Sequence, residues 1–234
     1  MGRHFEVRAA SMAATAKAKS AVYMRASKEI YAAAKSGIPD PESNLALRAA
    51  IDKYRKTTPK DVIERAIEKA KGSDAVSYID GRYEFLGPGG SYIIIDTLTD
   101  NVNRALVSVR TIVTRKGGKM GTVAYNFDYL GVIDFKGENR QDVEDNLILS
   151  DIDVKSVTLE DGEIEAQVAP SDLEKAKEVL KGMGVADFDS VENAFVPQQW
   201  ITLDEDDIAK FKTMLEELDE CEDIQAVYHN VENA

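Results

Sequence analysis

The chain has 234 residues, with 42 acids against 29 bases and a formal net charge of −13. Hydrophobic residues make up 44% and charged residues 30%, the balance of an ordinary globular protein of one large or two to three small domains. Cys221 is the only cysteine, which excludes an intramolecular disulfide; no apolar run approaches the roughly 20 residues of a membrane helix and Met1–Glu6 holds no signal-peptide core, so a cytoplasmic protein with no membrane partner is expected.

Residues 8–36 read as one helix, rich in Ala and Lys, free of Pro and Gly, and ending at Gly37. Tyr23, Ala26, Ile30 and Ala34 fall on its buried side. A second helix is expected over 41–56, with Leu47, Ile51 and Tyr54 on one face. A third opens at Thr58-Pro59, where Thr58 can cap and Pro59 suits the first helical position. It carries Ile63, Ala66, Ile67 and Ala70 at helical spacing and ends at Gly72. Strands follow at Arg82–Phe85 and Ser91–Thr97, separated by the turn Gly87-Pro88-Gly89-Gly90. A helix over Asn101–Lys116 would bury Val102, Leu106, Val109 and Val113 and show Arg104, Ser108, Thr111 and Arg115. Val123–Phe127 and Val132–Phe135 read as two strands.

Residues 131–197 then give strand 132–136, helix 140–149, strands 153–159 and 163–168 around Asp161-Gly162, helix 171–182 and strand 189–196. This is the βαββαβ order of a ferredoxin-like unit. Thr202–Asp219 is a last helix, with a capping-box pattern at Thr202 and Glu205 and a stripe of Ile208, Phe211, Leu215 and Leu218. Ile224–His229 is a last strand. This pair lies outside the βαββαβ unit and would complete the sheet begun at 82–97. The expected fold class is therefore α+β in three domains: a helical one over 1–75, a discontinuous α/β one over 76–130 plus 200–234, and a ferredoxin-like one over 131–199.

Catalytic signals are weak. His4 and His229 are the only histidines, and neither stands in a metal-binding spacing with Cys221. Cys221 and His229 flank a predicted turn and could meet as nucleophile and base. Asp204-Glu205-Asp206-Asp207 suits the positive end of a helix dipole, with a metal site as the alternative. Gly87-Pro88-Gly89-Gly90 precedes a strand, whereas a phosphate-binding glycine loop leads into a helix. Lys116-Gly117-Gly118-Lys119-Met120-Gly121 follows a helix, where it can act as a C-cap and can also hold a nucleic-acid phosphate. No enzyme, no cofactor and no metal are expected.

Charge is the more informative signal. Residues 1–71 hold 15 bases and 8 acids, residues 72–140 hold 8 of each, and residues 141–234 hold 6 bases and 26 acids. Such polarity points to a nucleic-acid-facing module beside an acidic one; the alternative is that the two ends attract each other within the molecule. On a helical wheel Lys17, Arg25, Lys28 and Lys35 form a stripe about 80° wide, able to match phosphates and release counterions. The candidate nucleic-acid contacts are Lys17, Lys19, Arg25, Lys28, Lys35, Lys60, Arg65, Arg104, Arg115, Lys116 and Lys119. The candidate loop residues are Gly87, Gly89, Gly90, Asn101, Gly117, Gly118 and Gly121.

Longer strings carry a resemblance. They include Glu29-Ile30 with the Gly37…Asp40-Pro41 turn, Pro59–Ile67, Tyr83-Glu84 with Gly87–Gly90, Thr97–Arg104, Val109-Arg110, Lys116–Gly121, Val123-Ala124-Tyr125, Gly131-Val132-Ile133 and Val227–Val231. Together they span nearly the whole chain. The sequence resembles the YebC/PmpR family of bacterial regulatory proteins, whose relatives include a mitochondrial translational activator; the Met-Gly-Arg start and Ile30–Lys35 look like its YeeN-type branch. It departs from the family at His4–Arg8, which replaces the usual Ser-Lys-Trp-Ala-Asn, and in a link from Gly121 to Val123 about three residues shorter than usual. The resemblance implies a helical N-terminal domain with two α/β domains, and a cytoplasmic, non-enzymatic protein whose partner is nucleic acid. The target is DNA for a transcriptional regulator, or ribosomal RNA for a translation factor that relieves stalling on sequences such as proline runs.

Overall fold

The computed structural model describes residues 16–72 and 76–234, with side chains placed from residue 19 onward. The elements are α1 (Ala16–Lys35), α2 (Leu45–Tyr54), α3 (Lys60–Lys71), β1 (Ile79–Leu86), β2 (Tyr92–Thr99), α4 (Val102–Arg115), β3 (Lys119–Met120) and β4 (Phe127–Lys136). Then come α5 (Arg140–Leu149), β5 (Val154–Glu160), β6 (Glu163–Val168), α6 (Leu173–Gly182), β7 (Ser190–Pro197), α7 (Glu205–Asp219) and β8 (Ile224–His229). The fold is α+β: an N-terminal helical module and two α/β domains, each built on a four-stranded sheet.

In the helical module, Ala26, Ile30 and Ala34 of α1 pack with Leu47, Ala50 and Tyr54 of α2 and with Ile63, Ala66 and Ala70 of α3. The spacing of three and four residues puts each set on one side of its helix. The part of the expected first helix before Ala16 lies outside the described residues. α2 starts later than expected because Asn44 is its cap. The Asn44 side chain accepts from the Leu47 N–H at 3.0 Å and donates to the carbonyls of Ala33 and Ile38 at 2.9 and 3.0 Å. The cap expected of Thr58 is not made: Pro59 precedes α3 without a side-chain hydrogen bond, and Thr58 Oγ1 is buried without one among the described residues.

The first sheet runs β3-β1-β2-β8, antiparallel throughout. Phe85, Ile93 and Ile95 pack against Val109 and Val113 of α4 and Phe211, Met214 and Leu218 of α7. β8 pairs with β2, so the chain leaves this region after Val123 and returns to it at Ile201. The described residues up to Val123 and Ile201–Ala234 form one compact unit that includes the helical module; Ala124–Trp200 belongs to the other. That second unit has the order β5-β6-β4-β7, also antiparallel, which is the ferredoxin-like arrangement. Its core joins Ile133, Phe135, Val143, Leu147, Ile164, Ala176 and Leu180.

Three local readings need correction. Val123–Phe127 is not a strand: Ala124–Asn126 is a 3₁₀ turn, and β4 is one continuous strand from Phe127. The reason is a side chain from β1, since Glu84 accepts the Val123 N–H at 2.6 Å and turns the backbone away. The N-cap of α7 is Asp204, which accepts from the Asp207 N–H at 2.9 Å, and not Thr202. Ile201 and Leu203 are held extended by a bridge to Val231 and a bond from Leu203 N–H to the Asn233 side chain. On α4, Ala105 takes the buried position expected of Val102, which is 40% exposed.

A buried ion pair fixes the helical module on the first sheet. Lys28 Nζ on α1 lies 2.8 Å from Asp223, just before β8, with both side chains under 10% exposed. Lys28 also donates to the Glu222 carbonyl at 3.0 Å. Arg104 on α4 grips the same carboxylate with Nε at 3.0 Å and a terminal nitrogen at 2.9 Å. Burial alone would raise the Asp223 carboxyl, but the hydrogen bonds from Arg104 and Lys28 outweigh it and hold it below the usual carboxylate range. Asp223→Ala strands a buried ammonium and is expected to cost about 3–5 kcal/mol in urea unfolding. Lys28→Ala is expected to cost less, because Arg104 still pairs with the carboxylate.

His229 gives a second stability prediction. It is buried at the end of β8, its ring edge-on to Phe211 with centroids 5.0 Å apart. Its Nδ1 accepts the Val231 N–H at 3.2 Å. Burial pulls its pKa down to about 4. As pH falls from 6.5 towards 4 the unfolded chain takes up a proton that the folded chain refuses. The stability present at pH 7 is therefore expected to drop by up to about 3 kcal/mol across that window. Urea unfolding against pH should show the drop, and His229→Asn should flatten it.

Candidate nucleic-acid interface

The α1 stripe is not an open row of cations. Arg25 pairs with Asp219 at 2.8 Å and also donates to the Asp219 carbonyl. Lys28 is buried on Asp223. Lys35 donates to the carbonyls of Ala70 and Gly72 at 3.1 and 3.0 Å, closing the end of α3. Lys17 lies within α1, but its side chain is outside the described residues. Lys19 is exposed. On α3, Lys60 faces Glu64 at 3.4 Å and Arg65 faces Asp61 at 2.5 Å, both on the helix's own surface. The attraction between chain ends, read above as the alternative, accounts for Arg25 and Lys28.

The loop residues each have a local task. Gly89 and Gly90 carry φ of 62° and 78° in the turn after β1, and a Cβ on Gly89 would sit 2.4 Å from Leu203. Only glycine takes both conditions without strain. Gly87 N–H bonds the Ser91 carbonyl at 2.7 Å. Asn101 caps α4 by accepting the Arg104 N–H at 3.0 Å. The segment after α4 is a Schellman cap: Gly117 (φ 90°) bonds the Thr114 carbonyl at 3.0 Å and Gly118 the Val113 carbonyl at 3.0 Å. Gly121 N–H then bonds the Glu84 carbonyl at 3.1 Å.

This cap turns the chain into β3, whose Lys119 pairs with Leu86. A Cβ on Gly118 would stand 2.5 Å from Val113 Cγ1 and 3.0 Å from the Leu86 carbonyl oxygen. The loop is therefore rigid because a helix end and a strand meet at a residue with no side chain.

Residues 101–121 hold five bases and no acid, in a chain of net charge −13. Three of the five are committed. Arg104 pairs with Asp223 and Asp100, while Arg115 and Lys116 both pair with Glu217. The Lys116 hydrogen bond is the main reason that Glu217 lies below the usual carboxylate range. Arg110 and Lys119 are exposed, with no ion-pair partner among the described residues. Arg110 shares its helix face with Asn103, Val107, Thr111 and Thr114, all exposed; Val107 is 63% exposed. This face offers guanidinium, amide, hydroxyl and methyl groups and no carboxylate. Arg110 is absent from the candidates read from sequence. The signal that finds it is the missing acids, not the spacing of the bases.

Among the described residues no group of three or more His, Cys, Asp and Glu is placed to hold a metal ion. Asp204 and Asp207 are used as a helix cap and as the partner of Lys210. His229 Nδ1 is occupied by the Val231 N–H, so it is not free to act as a base towards Cys221. No described helix is long and apolar enough to cross a membrane.

The fold defines a class of protein in which a helical module is joined to two α/β domains. Residues 3–73 match the TACO1/YebC protein N-terminal domain, and residues 78–231 match the TACO1/YebC second and third domain. The chain belongs to the TACO1/YebC family. It is also similar to the crystal structure of a conserved hypothetical protein, Aq1575, from Aquifex aeolicus, with 28% sequence identity and a TM-score of 0.77. The match covers 91% of this chain and 89% of that one.

The rigidity of the 116–121 loop is open to test. Gly118→Ala is expected to lower stability by about 1–3 kcal/mol through overpacking against Val113 and Leu86. Proteolysis should cut this loop faster in the variant than in the parent.

Proposed function

We propose that this protein is a non-enzymatic regulatory factor that binds nucleic acid through the outer face of α4 and the Lys116–Gly121 loop, and that its target is folded RNA of the translation machinery. The acid-free stretch 101–121 carries this reading, because it leaves Arg110 and Lys119 without an ion-pair partner among the described residues, on an otherwise strongly acidic chain. RNA is favoured over a DNA site by where the other cations go. A helix that reads a major groove needs several free base-contacting side chains, and Arg25, Lys28 and Lys35 of α1 are turned onto internal partners. Folded RNA is read mainly through shape, phosphates and 2′-hydroxyls, for which a short rigid cationic face suffices.

The protein should bind a fluorescein-labelled RNA hairpin more tightly than a DNA duplex of matched length. Arg110→Ala with Lys119→Ala should weaken RNA binding and flatten its salt dependence by about 0.7–0.9 log units per lost contact. Tighter binding to the duplex, with discrete promoter peaks on crosslinking in cells, would instead make the protein a transcriptional regulator. An unchanged salt slope in the double variant would remove α4 as the contact surface.

A further inference from the structure

Four of the five residues from Asp219, the last of α7, to Asp223, just before β8, are acidic: Asp219, Glu220, Glu222 and Asp223. Two of them hold the two central cations of the α1 stripe, Arg25 and Lys28. The two contacts differ in kind. Lys28 is fully used, by Asp223 and the Glu222 carbonyl, with Tyr78 placing its ring 5.8 Å from the ammonium. Arg25 is not fully used. Its terminal nitrogens reach Asp219 through the carboxylate and the carbonyl, but Nε–H is buried with no hydrogen-bond acceptor among the described residues. The side chains of Arg25 and Asp219 are also the more exposed of the two pairs, at 12% and 17%. A guanidinium with a buried, unanswered N–H is held by too few oxygens. A phosphate group, with more acceptor oxygens, can answer all of its donors at once.

We infer that Arg25 is a latent phosphate-binding residue and that the acidic turn Asp219–Asp223 acts as an internal stand-in for nucleic-acid phosphate, screening it in the free protein. The Lys28–Asp223–Arg104 cluster stays closed and serves as the anchor. The outer Arg25–Asp219 pair exchanges its carboxylate for a phosphate of the bound strand. Cations that look free on a helical wheel are thus kept from non-specific polyanions until a ligand is already seated at α4. This inference rests on the RNA-binding reading given above.

The experiment uses the full chain and the same labelled RNA hairpin across a salt series. Asp219→Asn keeps the shape of the side chain and removes the competing charge. It is expected to tighten binding about fivefold near 0.1 M salt and to steepen the salt slope by about 0.7–0.9 log units, because the phosphate contact of Arg25 then no longer sets free a carboxylate that takes up a cation. Arg25→Gln should abolish the gain when combined with Asp219→Asn. Hydrogen exchange on the unmodified protein gives a measurement that does not depend on how a variant folds. The amides of 219–223 should lose protection when the hairpin binds.

Parental affinity and slope in Asp219→Asn would overturn the inference, as would unchanged protection at 219–223. Failure of the underlying reading looks different. A parent that does not bind the hairpin, or binds it equally well without Arg110 and Lys119, removes the RNA reading itself. Arg110-dependent binding with no gain from Asp219→Asn removes only the latent site.

Discussion

The carboxylate of Asp223 is where three parts of the chain meet. Lys28 comes from the helical module, Arg104 from the start of α4, and Asp223 itself from the turn before β8. Removing Asp223 leaves the buried Lys28 ammonium without its carboxylate, and a stranded charge is penalised far more than an intact pair is rewarded. The cluster therefore acts mainly as a register device. It fixes which face of α1 meets the sheet, and it consumes Arg104, the first cation of the acid-free stretch. What remains for a ligand on that stretch is defined by what this cluster and Glu217 have already taken.

The charge asymmetry of the sequence has two meanings that composition cannot separate. A basic start and an acidic end could serve two ligands or each other. Part of the asymmetry is spent internally: Arg25 and Lys28 reach partners 194 and 195 residues away. Counting charges along a helix identifies a face but not what lies against it. The stretch 101–121 behaves differently because it has no acids of its own, so each cation there must find an acid elsewhere in the fold or stay exposed. Arg110 and Lys119 stay exposed among the described residues.

The same distinction explains which parts of the fold were legible. Helix 140–149 and strands 163–168 and 224–229 fall where the sequence puts them. The signals for the first two are local: Asn139 caps the helix, and Asp161-Gly162 turns the hairpin with φ of 50° and 83°. The βαββαβ order follows from such signals strung together. The conformation at Val123 has no local signal, because it is set by Glu84, a side chain 39 residues earlier. Thr202 does not cap α7 because Asn233, 30 residues further on from Leu203, holds Leu203 extended. The glycines at 117 and 118 were legible as a helix stop, but their use as a hinge into β3 depends on Leu86, on another strand. The candidate site was the least legible part, since a cation is available only if no distant carboxylate claims it.

A net charge of −13 also constrains how such a protein finds a polyanion. Long-range attraction is unfavourable, so the charge of the whole molecule cannot steer it to a nucleic acid. At physiological ionic strength, however, charges are screened beyond about 8 Å, and a local face without carboxylates can bind phosphate despite the total. On the proposed reading, selectivity comes from shape at short range, because only a ligand that fits the α4 face and the 116–121 loop gains contacts before repulsion from the rest of the chain matters. Keeping Arg25 and Lys28 on internal acids strengthens this effect. An exposed basic helix on the same chain would add affinity for any polyanion and blur the discrimination. A regulator that must ignore most of the nucleic acid around it is better served by few free cations on a fixed surface than by many on a mobile one.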